Sequence, residues 1–309
     1  MKQCCRVNVR LMGSDFELIV VDESPERGHR HVRAGIDEIR RIEAVLTEFS
    51  ETSQTARINR QAGVEPVVVD AEVYGLLGRC LQLSRLSQGA FDVSAGALKP
   101  LYNFKRGLAG FPERAVLNTV RQRVGYQHID LLPDNRVFLR KKGMRIGFGA
   151  IGKGYAADCA RALLEARGVK HGVINASGDL TAWGAQPDGS AWKIGIADPG
   201  RPDRVIRWLP LRNASVATSG NYEQFFDHNG VRYAHILDPR SGLPTRYLKS
   251  VTVINPSAEL SDALATVVAV TGAEVGMHLI NQIPHTHCLL IDDRNKVFTS
   301  KNLTVHATA

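Results

Sequence analysis

Eight residues in the middle of the chain constrain its fold more than any others: Gly147-Phe148-Gly149-Ala150-Ile151-Gly152-Lys153-Gly154. They follow a β-like run and lead into a stretch, 155–167, with the apolar periodicity of a helix. Glycines at such a strand-to-helix turn let the backbone approach a ligand closely. The N–H groups at the helix start offer a site for an anion. Lys153 adds a point charge suited to a phosphate. Two known phosphate loops share part of this pattern. Gly147, Gly149 and Gly152 fit G-x-G-x-x-G, and residues 147–153 fit G-x-x-x-x-G-K. The next residue is Gly154, however, not the Ser or Thr that holds magnesium in an NTPase loop. A dinucleotide fold needs a carboxylate at a strand end about 20 residues on. Glu165 is at that distance but falls inside the helix, and no βαβ units flank the loop. Neither fold follows. What remains is a phosphate-facing turn, or a tight turn with a solvated lysine.

The surrounding pattern is α+β. Residues 7–21 read as a strand pair broken at Met12-Gly13-Ser14, and 30–46 and 73–86 as amphipathic helices. Residues 67–69 form a short β-like run, and 115–124 look helical. Residues 128–132 and 136–140 pair around Pro133-Asp134-Asn135. After the central helix come β-like runs at 172–175, 192–196, 205–211, 215–218 and 250–254. Helices at 262–270 and 273–281 precede a last strand pair, 286–291 and 296–300. Strands and helices mix without regular βαβ alternation, which argues for α+β rather than a doubly wound sheet. The 309 residues show no linker, repeat or low-complexity stretch, so the expectation is a single domain over 1–309.

Composition narrows the partners. The net charge of +8 favours anions, but the basic residues form no run and aromatics are only 6%, so no nucleic-acid partner is expected. No apolar run reaches the roughly 18 residues that would suggest a transmembrane segment. Five cysteines at irregular spacing, without CxxC, argue against a disulfide framework or structural zinc. No secretory h-region precedes Cys4 and Cys5, so a cytoplasmic home is expected for the chain as written. A periplasmic or membrane-anchored home follows if a leader is missing.

Three further clusters carry chemistry. Residues 217–222 are a hydroxyl-rich turn that includes Thr218 and Ser219. His235-Ile236-Leu237-Asp238-Pro239-Arg240 puts an imidazole, a carboxylate and a guanidinium in six positions. The histidine suits a general base; the plain alternative is a turn in which Asp238 caps its own backbone. Asp262 and Thr266 lie one helical turn apart on one face. Two oxygen ligands so placed suit magnesium or calcium, against a first-turn aspartate and a core threonine. His285 and His287 have no carboxylate at ligand spacing and read as structural.

In chain order, eight segments resemble the ApbE-type flavin transferases. They are LMGSDFELIV from Leu11, LTEFSETSQTARIN from Leu46, GAFDVSAGAL from Gly89, IGFGAIGKGYAAD from Ile146, NASGDL from Asn175, VATSGNYEQF from Val216, AHILDPRSGLP from Ala234 and SDALATVVAVTG from Ser261. The resemblance covers almost the whole chain. It implies a two-part, T-fold-related α+β architecture with an FAD cleft between the parts. It implies Mg2+ held by Asp262, Thr266 and the carbonyl of Ala150. FAD contacts are implied from Met12, Phe49, Ala90, Phe91, Asp92, Lys153 and Ile236, with Thr218 and Ser219 lining the pocket. His235 matches the family's base. The implied reaction is Mg2+-dependent transfer of FMN from FAD to a Thr or Ser hydroxyl of an acceptor protein, releasing AMP. A hydrolase that splits FAD into FMN and AMP, or a non-catalytic flavin carrier, are the competing expectations. Two positions depart from the family pattern. Gly147 stands where an aspartate is usual, putting a contact to the nucleotide in question, and Phe49 stands where a tyrosine is frequent.

Overall fold

The computed structural model describes residues 2–102, 104, 110–222, 224–301 and 303. The chain opens as a hairpin of β1 (Gln3–Leu11) and β2 (Ser14–Asp22). Its turn uses Met12 (φ 50°) and Gly13 (φ 72°), the left-handed pair that a two-residue hairpin favours. α1 (Pro25–Leu46) starts earlier than its apolar stripe suggests, because Ser24 accepts from the Arg27 N–H and Pro25 presets the first turn. α2 (Gln54–Arg60), capped by Ser53, has no counterpart in the sequence reading. β3 (Val67–Val68) and α3 (Ala71–Leu86) follow. Two 3-10 turns, Val93–Ala97 and Lys99–Leu101, lead to α4 (Arg114–Arg121), then β4 (Ile129–Leu132) and β5 (Arg136–Leu139).

The glycine loop opens α5 (Gly152–Ala166) three residues before Tyr155. β6 (Gly172–Ala176) and β7 (Asp179–Trp183) pair through the Ser177-Gly178 turn. β8 (Trp192–Asp198) and β9 (Arg201–Leu211) form a separate ribbon, followed by β10 (Ala214–Gly220). A short hairpin, β11 (Phe225–His228) and β12 (Val231–Ala234), precedes β13 (Leu248–Asn255). α6 (Ala258–Ile280) joins both expected closing helices, and Gly272 (φ 83°, ψ 178°) breaks the helical geometry at the gap between them. β14 (His287–Asp292) and β15 (Val297–Thr299) end the described fold.

Eight strands form one antiparallel sheet in the order β1-β2-β6-β7-β10-β13-β14-β15. Strand β2 shows why it sits inside three layers. Leu18 and Val20 join the core built from α1, α5 and α6, while Ile19 and Val21 pack with Trp192, Ile196, Leu209 and Leu211 of the ribbon. Each such buried side chain contributes about 1.5–3 kcal/mol. The smaller sheet, β3-β5-β4, packs with α3 on the same helical layer. Val137, Leu139, Leu76 and Leu77 belong to one hydrophobic core with Ile39, Leu164 and Val268. The architecture is therefore α+β in two parts. By length and composition α6 is apolar enough to cross a bilayer; here it is a core helix packed on α5, β10 and β13.

Where α5 meets α6, each helix start is capped by a carboxylate of the other. Asp158 of α5 accepts from the N–H groups of Ala258 and Glu259 at 2.9 and 3.0 Å, and from the Ser257 hydroxyl at 2.7 Å. Asp262 of α6 accepts from the Gly154 N–H at 3.1 Å. This contact explains Gly154. A Cβ there would lie 2.2 Å from the Ala258 carbonyl oxygen, so no larger residue fits.

Candidate active site

A cavity of about 500 Å³ lies where the two parts meet. The smaller part contributes Ala90, Phe91, Asp92, Lys99, Tyr102 and Phe104. The glycine loop and α5 contribute Gly147, Gly149, Ala150 and Lys153; β7 contributes Asp179 and β10 contributes Thr218 and Ser219. Asp262 and Thr266 come from α6, and His235, Ile236 and Leu237 from the segment after β12. Phe49 stands at the rim, 90% exposed. Met12 lies elsewhere. It sits at the tip of the first hairpin, behind the loop, where its methyl is 3.6 Å from the position of a Cβ on Gly152. Of the flavin, metal and base residues that the resemblance implies, the cavity lining holds all but Met12; Asp238 and Arg240 of the 235–240 cluster lie outside it.

His235 is held in one orientation. Its backbone N–H donates to the Gln224 carbonyl at 2.9 Å, and its Nδ1 lies 3.2 Å from the same oxygen. A carbonyl only accepts, so Nδ1 carries the proton and the neutral ring keeps its lone pair on Nε2. Burial pushes the imidazole pKa below its ordinary value; the Lys153 and Lys99 ammoniums add to this, and the Gln224 contact opposes it. Its neighbours in sequence do something else. Asp238 accepts from the Arg240 N–H and guanidinium, and its carbonyl accepts from Gly242, so this carboxylate closes a turn. Tyr102 ties that turn to the smaller part by donating to the Gly242 carbonyl at 2.8 Å.

The remaining polar groups are positioned by tertiary partners. Lys153 forms an ion pair with Asp179, whose other oxygen accepts from the Thr218 N–H at 3.0 Å. Asp179 is buried and was invisible as a site residue in the sequence, although the Ser-Gly turn before it could have marked it. Asp92 accepts from Ser94 and from the Tyr126 N–H, so both its oxygens shape the 90–94 turn, and burial raises its pKa. The expected backbone anion cradle is largely taken up. Gly147 donates to Val93, Gly152 to Phe148 and Gly154 to Asp262. The buried carboxylate of Asp262, the Thr266 hydroxyl and the Ala150 carbonyl could still hold a cation. Such an all-oxygen set fits magnesium.

A sequence profile of the ApbE family matches residues 12–290. The chain belongs to the ApbE family. It is 33% identical over 298 residues to a Treponema pallidum protein named FAD:protein FMN transferase, a match that covers 90% of this chain and 82% of that one. The ApbE protein of Thermotoga maritima shares its fold with a TM-score of 0.88, 31% identity and 97% coverage of both chains. Apo flavinyl transferase ApbE of Pseudomonas stutzeri superposes with a TM-score of 0.86 at 27% identity, covering 97% of this chain and 95% of its own. The Glu48 carboxylate lies 3.4 Å from where a Cβ on Gly147 would stand.

Proposed function

We propose that this chain transfers the FMN half of FAD to a Thr or Ser hydroxyl of an acceptor protein and releases AMP. The observation that carries the reading is the fixed His235, with Nε2 as its free base, in a cavity that also holds two lysines and the Asp262–Thr266 pair. The ApbE relatives named FAD:protein FMN transferase support it. The aromatic faces of Phe49, Phe91, Tyr102 and Phe104 suit a flavin ring. Asp262, Thr266 and the Ala150 carbonyl would hold Mg2+, which when bound neutralises diphosphate charge and stabilises charge developing on AMP.

His235 takes the acceptor hydroxyl proton on Nε2 as the oxygen forms its bond to the FMN phosphorus. The bond from that phosphorus to the AMP oxygen breaks, and AMP leaves with the electron pair. Lys153, steadied by Asp179, offsets the charge of the phosphates. Holding the reacting phosphorus beside His235 removes the entropy cost of an encounter.

Incubation with FAD, Mg2+ and a threonine-containing acceptor peptide tests this by mass spectrometry. The expected result is a peptide carrying one FMN, with AMP in equal amount, and no product when a chelator is present. Free FMN with an unmodified peptide would overturn transfer in favour of hydrolysis.

A further inference from the structure

Gly147 and Gly149 are not demanded by backbone conformation, because neither has a positive φ. They leave room. A Cβ on Gly147 would stand 3.4 and 3.5 Å from the two Glu48 carboxylate oxygens and 3.4 Å from Lys99 Nζ. A Cβ on Gly149 would stand 3.4 Å from the same Nζ. A Cβ at either position would thus rest in van der Waals contact with the Glu48–Lys99 pair. Lys99 Nζ donates to Glu48 Oε1 at 2.6 Å. The Glu48 side chain is 10% exposed and that of Lys99 is 49% exposed. A nearly buried anion therefore tethers a half-exposed cation across the glycine loop.

Lys99 and Lys153 are the two lysines on the cavity wall, and no arginine is there among the described residues. Their positions differ in kind. Lys153 is engaged by a carboxylate that itself lines the cavity, Asp179, whereas the carboxylate that holds Lys99 lies outside the lining. The field of Lys99 nevertheless reaches His235, whose pKa it helps to lower after the larger effect of burial. A tethered lysine has already lost much of its rotamer freedom, so it gives up less on meeting a ligand.

We propose that Lys99 binds the diphosphate of the substrate, and that Glu48 is the positioning residue that holds it over Gly147 and Gly149. This rests on the reading that the cavity takes FAD. A doubly anionic diphosphate meets two cations, one on α5 and one on the smaller part. Its binding thus draws on both parts of the molecule. Glu48 does not touch the substrate and acts only through Lys99.

Dissociation constants of FAD, ADP and riboflavin, measured by calorimetry on the full chain, test the proposal. Lys99→Met is expected to weaken FAD and ADP about tenfold or more, the scale of a charge-assisted hydrogen bond, and to leave riboflavin unchanged. Equal FAD affinity, or an equal loss for riboflavin, would overturn it. Lys99→Met alone leaves Glu48 unpaired, so Glu48→Gln/Lys99→Met is measured beside it. The double variant is expected to match Lys99→Met. Recovery of normal FAD affinity in the double variant would assign the loss to the orphaned carboxylate and overturn the proposal. Glu48→Gln alone is expected to weaken FAD, with no added effect when Lys99 is already gone. Additive losses would remove Glu48 from its positioning role. A wild-type chain that binds FAD but transfers nothing would overturn the proposed reaction and leave this inference standing.

Discussion

His235 shows how one contact decides what a residue can do. The Gln224 carbonyl fixes the proton on Nδ1, and burial holds the ring neutral, so Nε2 is ready to accept a proton. His235→Ala is expected to slow transfer by about 10²–10⁴ while FAD affinity changes little. An equal loss in binding and rate would make it a binding residue. The direction of its shift also fixes the pH profile. A lowered pKa keeps the free base at pH values where an ordinary imidazole is protonated. The acid limb of kcat/KM should therefore fall below the usual histidine range, and a limb at or above it would contradict the assignment. Three residues on, at Asp238, the alternatives left open by the sequence divide between residues. His235 faces the cavity, and Asp238 closes a turn.

At the scale of elements, the junction of α5 and α6 fixes the site. Asp158 serves three donors at the start of α6, and Asp262 serves one at the start of α5. Asp158→Ala is expected to cost about 1–3 kcal/mol in chemical denaturation, since it leaves helix N–H groups unsatisfied. It should also lower transfer, because Asp262 and Thr266 ride on the displaced helix. Unchanged stability would mean that water replaces the cap. The long helices and most sheet strands were legible from periodicity, including the break in α6 at Gly272. β7 was not, because all five of its residues are buried and it lacks alternation. β11 and β12 were missed as four-residue strands that expose polar side chains, and α2 as a single short helix. Helix starts were placed late, since the caps at Ser24 and Ile151 precede the apolar stripes.

For the whole molecule, the two-part α+β arrangement and most of the residues that line the candidate cavity were legible in the eight ordered segments. What did not follow depends on partners distant in sequence. Glu48 finds Lys99 across 51 residues, and Asp158 finds Ala258 across 100. No local pattern encodes such pairings. The same limit applies to the meaning of Gly147, whose neighbour is set by how α1 and the 3-10 turn at Lys99–Leu101 converge. The shape of the cleft also governs which acceptors can be served. On the proposed reading its volume of about 500 Å³ is shared with the flavin nucleotide, whereas a helix with side chains is about 10–12 Å across. On the proposed reaction, a threonine held within a folded helix brings that bulk with it to the cleft, whereas one on an extended segment does not. A peptide stapled into a helix is therefore expected to be modified more slowly than the same sequence left linear. Equal rates would contradict this. A slower stapled peptide would place modification in the interval before the acceptor segment folds, so that the shape of a cleft sets the order of events in building a flavoprotein.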